Sequence, residues 1–552
     1  MEPAGSVVLG RILTLAGDHG LGEVAAIAIR DGCVVAAGSR SDVEVLIGRR
    51  TRRIELGPDE VALPGLTDSH LHLAEAAIAI DAIQLARAET LEDGLGRIAE
   101  AHQTADSSAW LTGHGWARDR WGGWPTAAQL GRVAPGRRVA LWAHDHHALW
   151  VSPEALVIAG VGMTTADPSG GAIRRTEDGL PTGILHESAT VLVTAHIPAP
   201  TAAAYEAALP RLGRDLVALG VVAVHDPGLL RPNPRLDGPQ RAYGNLADAG
   251  RLAVRVHASI RSEALEFVIA RGLRSGDGLG ADAEGRARLG WLKLFADGSL
   301  GSRTAAMLEP FEPDTGSGPA GGPGRDRGMW VTEPKVLERL TARAAAGGIA
   351  TQIHAIGDAA VRAALDAFRS ESTRALRLRA RIEHAQLVDP ADLPRFGQLG
   401  IVASVQPVHL RTDADLARRA WGARAERTSY AWRSLLRSGA TLAFGTDAPV
   451  EPIDPWPGLA LSINRRWAGW PPGTPDFGPD QALTLVETLR AACLGPAQAE
   501  GAHDRGRLTA GQRADVMVIP AAAITQPIEV DGPLATTRPR LVLIDGKVVF
   551  EA

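Results

Sequence analysis

The chain has 552 residues, 45% hydrophobic and 22% charged, an ordinary globular composition that excludes a disordered or fibrous protein. Its 58 basic and 63 acidic residues leave a net charge of −5, so nothing electrostatic points to nucleic acid or to an anionic membrane. Cys33 and Cys493 are too few for a disulfide framework or a thiolate zinc site, the start lacks a basic signal region, and no uncharged apolar run reaches about 18 residues. These features make a cytoplasmic protein with a small-molecule ligand the expectation, and they are compatible with a homodimer.

In chain order, the first elements are short β-like runs within residues 1–60: Ser6 to Leu9, Val24 to Ile29 and Cys33 to Ala37, each ended by Gly or Asp. The last 50 residues, 503–552, read the same way, with Ala514 to Ile519, Leu541 to Ile544 and Val548 to Phe550. Neither end closes a sandwich alone, so together they are expected to form one composite β-sandwich domain. Between them, over residues 61–502, eight apolar runs have strand length: Val61 to Leu66, Gly220 to His225, Ala253 to Ile260, Leu289 to Phe295, Ile349 to His354, Ala380 to His384, Ile401 to Gln406 and Thr441 to Thr446. Helical patterns such as Ala202 to Leu219 and Val336 to Ala346 fall between most of them. The reading is α/β, a distorted (β/α)8 barrel of the TIM type, with a doubly wound open sheet as the alternative. The gap from His72 to Gly220 is too long for one crossover and predicts an insertion after the first barrel strand, at about 105–195. Asp314 to Gly328, rich in Gly and Pro, reads as a loop.

Arginine outnumbers lysine 55 to 3. Lys335 and Lys547 sit in polar, surface-like contexts, whereas Lys293 lies inside the apolar run Leu289 to Phe295. A buried amine tends to lose its proton and can then act as a nucleophile or take up CO2 as a carbamate, which a guanidinium cannot do at ordinary pH. The other strand ends carry Asp68-Ser69-His70-Leu71-His72, His225-Asp226, His354, Glu383-His384 and Gly445-Thr446-Asp447. In a barrel these carboxyl ends form the mouth of the active site. His70, His72, Lys293, His354, His384 and Asp447 therefore converge as metal-competent groups. His70 and His72 point the same way from an extended chain. Imidazole and carboxylate without thiolate suit zinc, with manganese, nickel or iron as alternatives. His19, His102, His196 and His503 read as ordinary surface or structural histidines.

The run Leu63-Pro64-Gly65-Leu66-Thr67-Asp68-Ser69-His70-Leu71-His72 resembles the opening motif of the amidohydrolase superfamily, and Gly506 to Asp515 resembles its return into the terminal β domain. Lys293 to Thr304 and Ile353-His354-Ala355-Ile356-Gly357-Asp358 resemble a narrower subgroup, amidohydrolase family 3, which contains N-substituted formamide deformylases. The resemblance spans essentially the whole chain. It implies a binuclear centre, with a single ion as the variant, in which His70 and His72 bind one metal and His354 and His384 the other. A carbamylated Lys293 would bridge them, and Asp447 would complete the first site and shuttle protons. The implied chemistry is hydrolysis of a C–N bond by metal-activated hydroxide; a lactone or ester hydrolase on the same centre is the alternative, and a catalytically silent scaffold the reading from another class.

Two departures bear on substrate. In Gly113-His114-Gly115-Trp116-Ala117-Arg118-Asp119, Ala117 stands where relatives carry an acidic residue, and in Asp145-His146-His147, His146 stands where Gly is expected. The insertion holds six of the 13 tryptophans, Trp110, Trp116, Trp121, Trp124, Trp142 and Trp150, which read either as an aromatic pocket or as the core of the insertion. His114, Trp116, His147, Asp297 and His409 are taken as candidate substrate contacts.

Overall fold

A computed structural model of the chain describes residues 2–17, 20–80, 82–106, 109–229, 233–282, 285–313 and 327–552. Eight parallel strands form the barrel: β1 (Leu66–Asp68), β2 (Val221–Asp226), β3 (Arg255–Arg261), β4 (Ala287–Phe295), β5 (Thr351–Ala355), β6 (Arg381–His384), β7 (Val402–Val405) and β8 (Thr441–Phe444). Each pairs in parallel with the next. The ring is stitched between its ends, where Ser69 N–H donates to the Phe444 carbonyl at 2.8 Å and Thr446 N–H to Asp68 Oδ1 at 3.1 Å. That stitching replaces the open-sheet alternative with a nearly closed barrel.

Seven of the eight strands lie within two residues of the sequence reading. The first does not. Glu60–Pro64 is a strand of the terminal sheet, antiparallel to Val516–Pro520, and the barrel strand starts only at Leu66. Gly65 marks the crossing: a Cβ there would meet Val222 Cγ1 at 2.4 Å, so only glycine lets the chain pass this close to β2.

The remaining terminal strands, Ser6–Leu13, Glu23–Arg30, Cys33–Gly38, Arg52–Glu55, Leu541–Ile544 and Lys547–Glu551, complete an eight-stranded sheet built from both ends of the chain. The sheet folds over so that Val516, Val518, Leu541 and Leu543 pack with Val8, Ile27, Ile29 and Val34 around one core. Val7, Leu9, Ala26 and Ala28, their alternates along the strands, pack on the other face. A third, six-stranded sheet runs from Ile83–Gln84 to Pro181–Glu187, after β1 and before the helix Ala202–Ala218 that leads into β2. The Gly/Pro-rich run expected as a loop lies outside the described residues from 314 to 326. No helix among the described residues is long and apolar enough to cross a membrane.

Candidate metal centre at the barrel mouth

Alternation along the barrel strands turns every second side chain inward. His70 and His72 follow β1, Lys293 lies in β4, His354 in β5, His384 ends β6 and Asp447 follows β8. All six line one cavity of about 610 Å³, within the size range that holds a small organic molecule. His384 and Asp447 sit at φ +70° and +63°, sparsely populated backbone for residues with a Cβ.

The first half of the site is tightly oriented. His70 donates from Nδ1 to Glu383 Oε2 at 2.5 Å, and His72 donates from Nδ1 to the Gly228 carbonyl at 2.9 Å. Both rings are thereby fixed with Nε2 facing Asp447, whose Oδ1 lies 3.2 Å from His70 Nε2 and 3.6 Å from His72 Nε2. An acceptor behind the far nitrogen is what holds a metal-ligating imidazole in its tautomer and orientation. Burial pushes His72 down to about 3, so the ring is neutral and its lone pair free. Burial alone would raise the Asp447 carboxyl, but the rings of His70, His409 and His384 outweigh it and hold the group well below the carboxylate range.

Around the second half, the ring of His384 lies 4.6 Å from that of His354 and 5.0 Å from that of His70, centroid to centroid. The ligand atoms of His70, His72 and Asp447 lie within 4.8 Å of one another, and so do those of His384, His409 and Asp447. His354 is turned with Nε2 2.9 Å from the Gly298 carbonyl. Lys293 is 1% exposed, its Nζ 4.7 Å from the Phe295 ring centroid and without a hydrogen-bond partner. Burial, opposed by Glu383 and Asp447, lowers its amine to about 8. His70 Nε2 and His384 Nδ1 are likewise buried without a hydrogen bond. Three orphaned nitrogens beside an ionised carboxylate are the expected face of a site that binds cations, and the donor set matches zinc or a similar ion.

The insertion is locked to this mouth by the run Asp297-Gly298-Ser299-Leu300-Gly301-Ser302-Arg303-Thr304 after β4. Ser299 and Ser302 donate their hydroxyls to Asp145 Oδ2 at 2.6 and 2.9 Å, and Thr304 donates to Glu187 Oε1 at 2.7 Å. Gly298 has no room for a side chain, since a Cβ would fall 2.0 Å from Thr304 Oγ1 and 2.2 Å from Glu187 Oε1. Glu187 also accepts from His147 Nδ1 at 2.8 Å, which sets the His147 ring 5.1 Å from that of His354. Burial would lower His147, but Glu187 and Asp145 outweigh it and raise the ring to about 9.

The five candidate substrate contacts fall in different places. His147, His409 and Trp116 line the cavity, while His114 and Asp297 do not. Asp297 is instead a loop organiser, accepting backbone N–H bonds from Ala306, Ile356 and Gly357 at 2.8 to 3.0 Å. His114 is buried behind the wall, 5.8 Å from the ring of His146. His409 Nε2 lies 3.1 Å from Asp447 Oδ2. Trp116 donates to the Leu141 carbonyl and packs with Trp121, Trp124 and Trp150 at 6.0 to 6.4 Å; Trp121 and Trp150 belong to the core of the insertion, while Trp116, Trp124 and Trp142 reach the cavity wall. Glu383, Asp145 and Glu187 were not singled out from sequence. Glu383 carried a signal, being a carboxylate beside His384 at a strand end; the other two join the insertion to the barrel through contacts far apart in the chain.

The barrel and this cluster of metal-competent side chains are the features of a metal-dependent hydrolase of the barrel type. The chain belongs to the amidohydrolase family, family 3, whose model matches residues 59–550. It is 32% identical over 528 residues to Protein LONG AFTER FAR-RED 3 of Arabidopsis thaliana, covering 93% of this chain and 86% of that one. It is 24% identical over 512 residues to the N-substituted formamide deformylase of Arthrobacter pascens, covering 90% and 89%. Among solved structures, a metal-dependent hydrolase from Pyrococcus horikoshii OT3 superposes with a TM-score of 0.71 at 27% identity, covering 93% of this chain and 97% of that one.

Proposed function

We propose that this protein hydrolyses a carbon–nitrogen bond in small amides carrying an apolar or aryl substituent, N-substituted formamides among them. The observation that carries the reading is the pair His70 and His72, held with both Nε2 atoms on Asp447, beside a buried Lys293 amine that no protein group satisfies. His70, His72 and Asp447 would hold one ion, and His354 and His384 the other. Two divalent ions there, zinc foremost, would supply Lewis acidity and make water nucleophilic at neutral pH.

Lys293 would help hold both ions once its neutral amine had added CO2 and released a proton. An ammonium offers only donors, whereas the carbamate offers two acceptor oxygens and a negative charge. Asp447 accepts the proton of the attacking water and returns it to the departing nitrogen, its carboxylate steadied by His409. Trp124, Trp142, Phe295, Leu416 and Val450 give the cavity the apolar wall that an aryl or alkyl substituent requires. The deformylase relative at 24% identity adds support for the formamide class. The test is a panel of aryl formamides, acyl amines, cyclic amides, carbamates and lactones given to zinc-restored protein. Amine release from formamides or amides is expected; turnover confined to lactones would overturn the assignment.

A further inference from the structure

Beneath the mouth, the barrel interior holds a second group of polar side chains. His225 on β2, His257 on β3 and Glu500, just after the helix Leu485–Ala499, are all buried with ligand-type atoms within 4.8 Å of one another. His225 Nε2 has no hydrogen-bond partner. The residue types invite a third metal, but the neighbours argue against it. Arg381 Nη1 donates to His225 Nδ1 at 2.9 Å. Arg381 can only donate, so Nδ1 holds the lone pair and a neutral ring carries its proton on Nε2, the atom a metal would need. Arg505 lies 3.5 Å from Glu500, adding a second positive charge.

What the group does hold is Arg381. This guanidinium is fully buried, stacked 4.7 Å over the ring centroid of Trp291. Its Nε donates to Glu383 Oε1 at 2.5 Å, and its Nη2 to Glu383 Oε2 at 3.1 Å and to Ser404 Oγ at 2.8 Å. Nη2 also donates to the carbonyl of Ser69, the residue before His70. One side chain thus grips both the carboxylate that sets the His70 ring and the backbone that carries it. The planar fork does this because its donors leave in fixed directions. His225 supplies the remaining acceptor without adding charge, so the pair Arg381–Glu383 stays balanced inside the barrel. Below it, Glu500 anchors the floor, accepting from His257 Nδ1 at 2.8 Å.

We propose that His225 is a positioning residue for metal retention, acting through Arg381 and Glu383 on His70, so that the mouth of the barrel is held in register from its floor. The inference rests on the reading of His70 as a metal ligand. The test measures zinc affinity by competition with a chromophoric chelator, on full-length metal-depleted protein, alongside the melting temperature of the same metal-free samples. His225→Leu removes the acceptor and is expected to weaken zinc binding about 10- to 100-fold, the range for loss of a group behind a ligand. His225→Asn, whose carboxamide oxygen can still accept from Arg381, is expected to recover most of that loss. Should His225→Leu fail to fold, Ser404→Ala, which takes one acceptor from Nη2, is expected to weaken zinc binding by a smaller factor without unfolding the chain. A role confined to folding would lower the melting temperature and leave zinc affinity unchanged, and would overturn the proposal. So would equal losses in His225→Leu and His225→Asn, or a third zinc equivalent lost only in the His225 variants. Wild-type protein that binds no zinc would overturn the metal reading itself, whereas wild-type zinc binding with a fully competent His225→Leu overturns this inference alone.

Discussion

Arginine cannot stand in for Lys293, although it replaces lysine almost everywhere else in this chain. On the proposed function the position needs an amine that can lose its proton and accept CO2, and the guanidinium does neither. Lys293→Arg is therefore expected to be inactive with its fold retained, and Lys293→Ala to regain some turnover when short carboxylates are added to fill the vacated bridge. Full activity in Lys293→Arg, followed by amine release from a formamide, would remove the carbamate from the account. Asp447→Asn keeps the shape of the side chain but loses the basic oxygen that takes up the proton, and losses of several orders of magnitude in kcat are expected. A kcat within about tenfold of wild type would assign the proton transfer elsewhere. Glu451 makes a separate prediction. Burial would raise this carboxyl, but His144 and Arg411 outweigh it and lower it to about 2. A carboxyl lowered in the folded state stabilises the fold above its unfolded pKa, about 4.3, and loses that contribution as pH falls toward the folded value. The melting-temperature gap between wild type and Glu451→Gln should be widest above about pH 5 and close as the solution is acidified toward pH 2. A gap independent of pH would contradict this.

The elements divide by how local their causes are. Seven barrel strands were legible because each is a short apolar run bounded by turn residues, and the metal-competent residues stood out because they recur where those runs end. The first strand was misread because Val61 to Leu66 is continuous in apolar character, and only the closeness of Gly65 to Val222 reveals that two sheets share it. The tryptophans could not be resolved between core and pocket from spacing, and they prove to divide, with Trp150 wholly interior and Trp142 on the cavity wall. Glu383 is only two residues from Arg381, but the contacts that give Asp145, Glu187 and Arg381 their places, to Ser299, Thr304 and the Ser69 carbonyl, were invisible because they reach far along the chain. The same holds for the joint between barrel and terminal sheet. Arg255 opens β3 and donates to Asp515 at 2.6 and 3.1 Å and to Asp545 at 2.5 Å, all three side chains buried. Arg255→Leu would take the bidentate guanidinium from buried Asp515, while Asp545 keeps Arg513 at 2.7 Å, and is expected to cost about 3–5 kcal/mol, measured by urea unfolding. Unfolding at the wild-type urea concentration would show that this cluster does not dock the sheet.

At the scale of the whole molecule, two of the three sheets meet at the opening and the third braces the barrel from its other end. The barrel presents the metal-competent side chains, the inserted sheet is fastened beside them through Asp145 and Glu187, and the terminal sheet holds the barrel from the side where β3 begins. A chain arranged this way should be stabilised by the ions it binds, because ligands that bind only the folded state raise its melting temperature. The most direct measurement of the central claim is a titration of metal-depleted protein with zinc, following amine release from an aryl formamide against metal bound per chain. The account predicts negligible turnover without metal, rising with added ion to a plateau by two equivalents. A preparation shown to be free of metal yet fully active would contradict it.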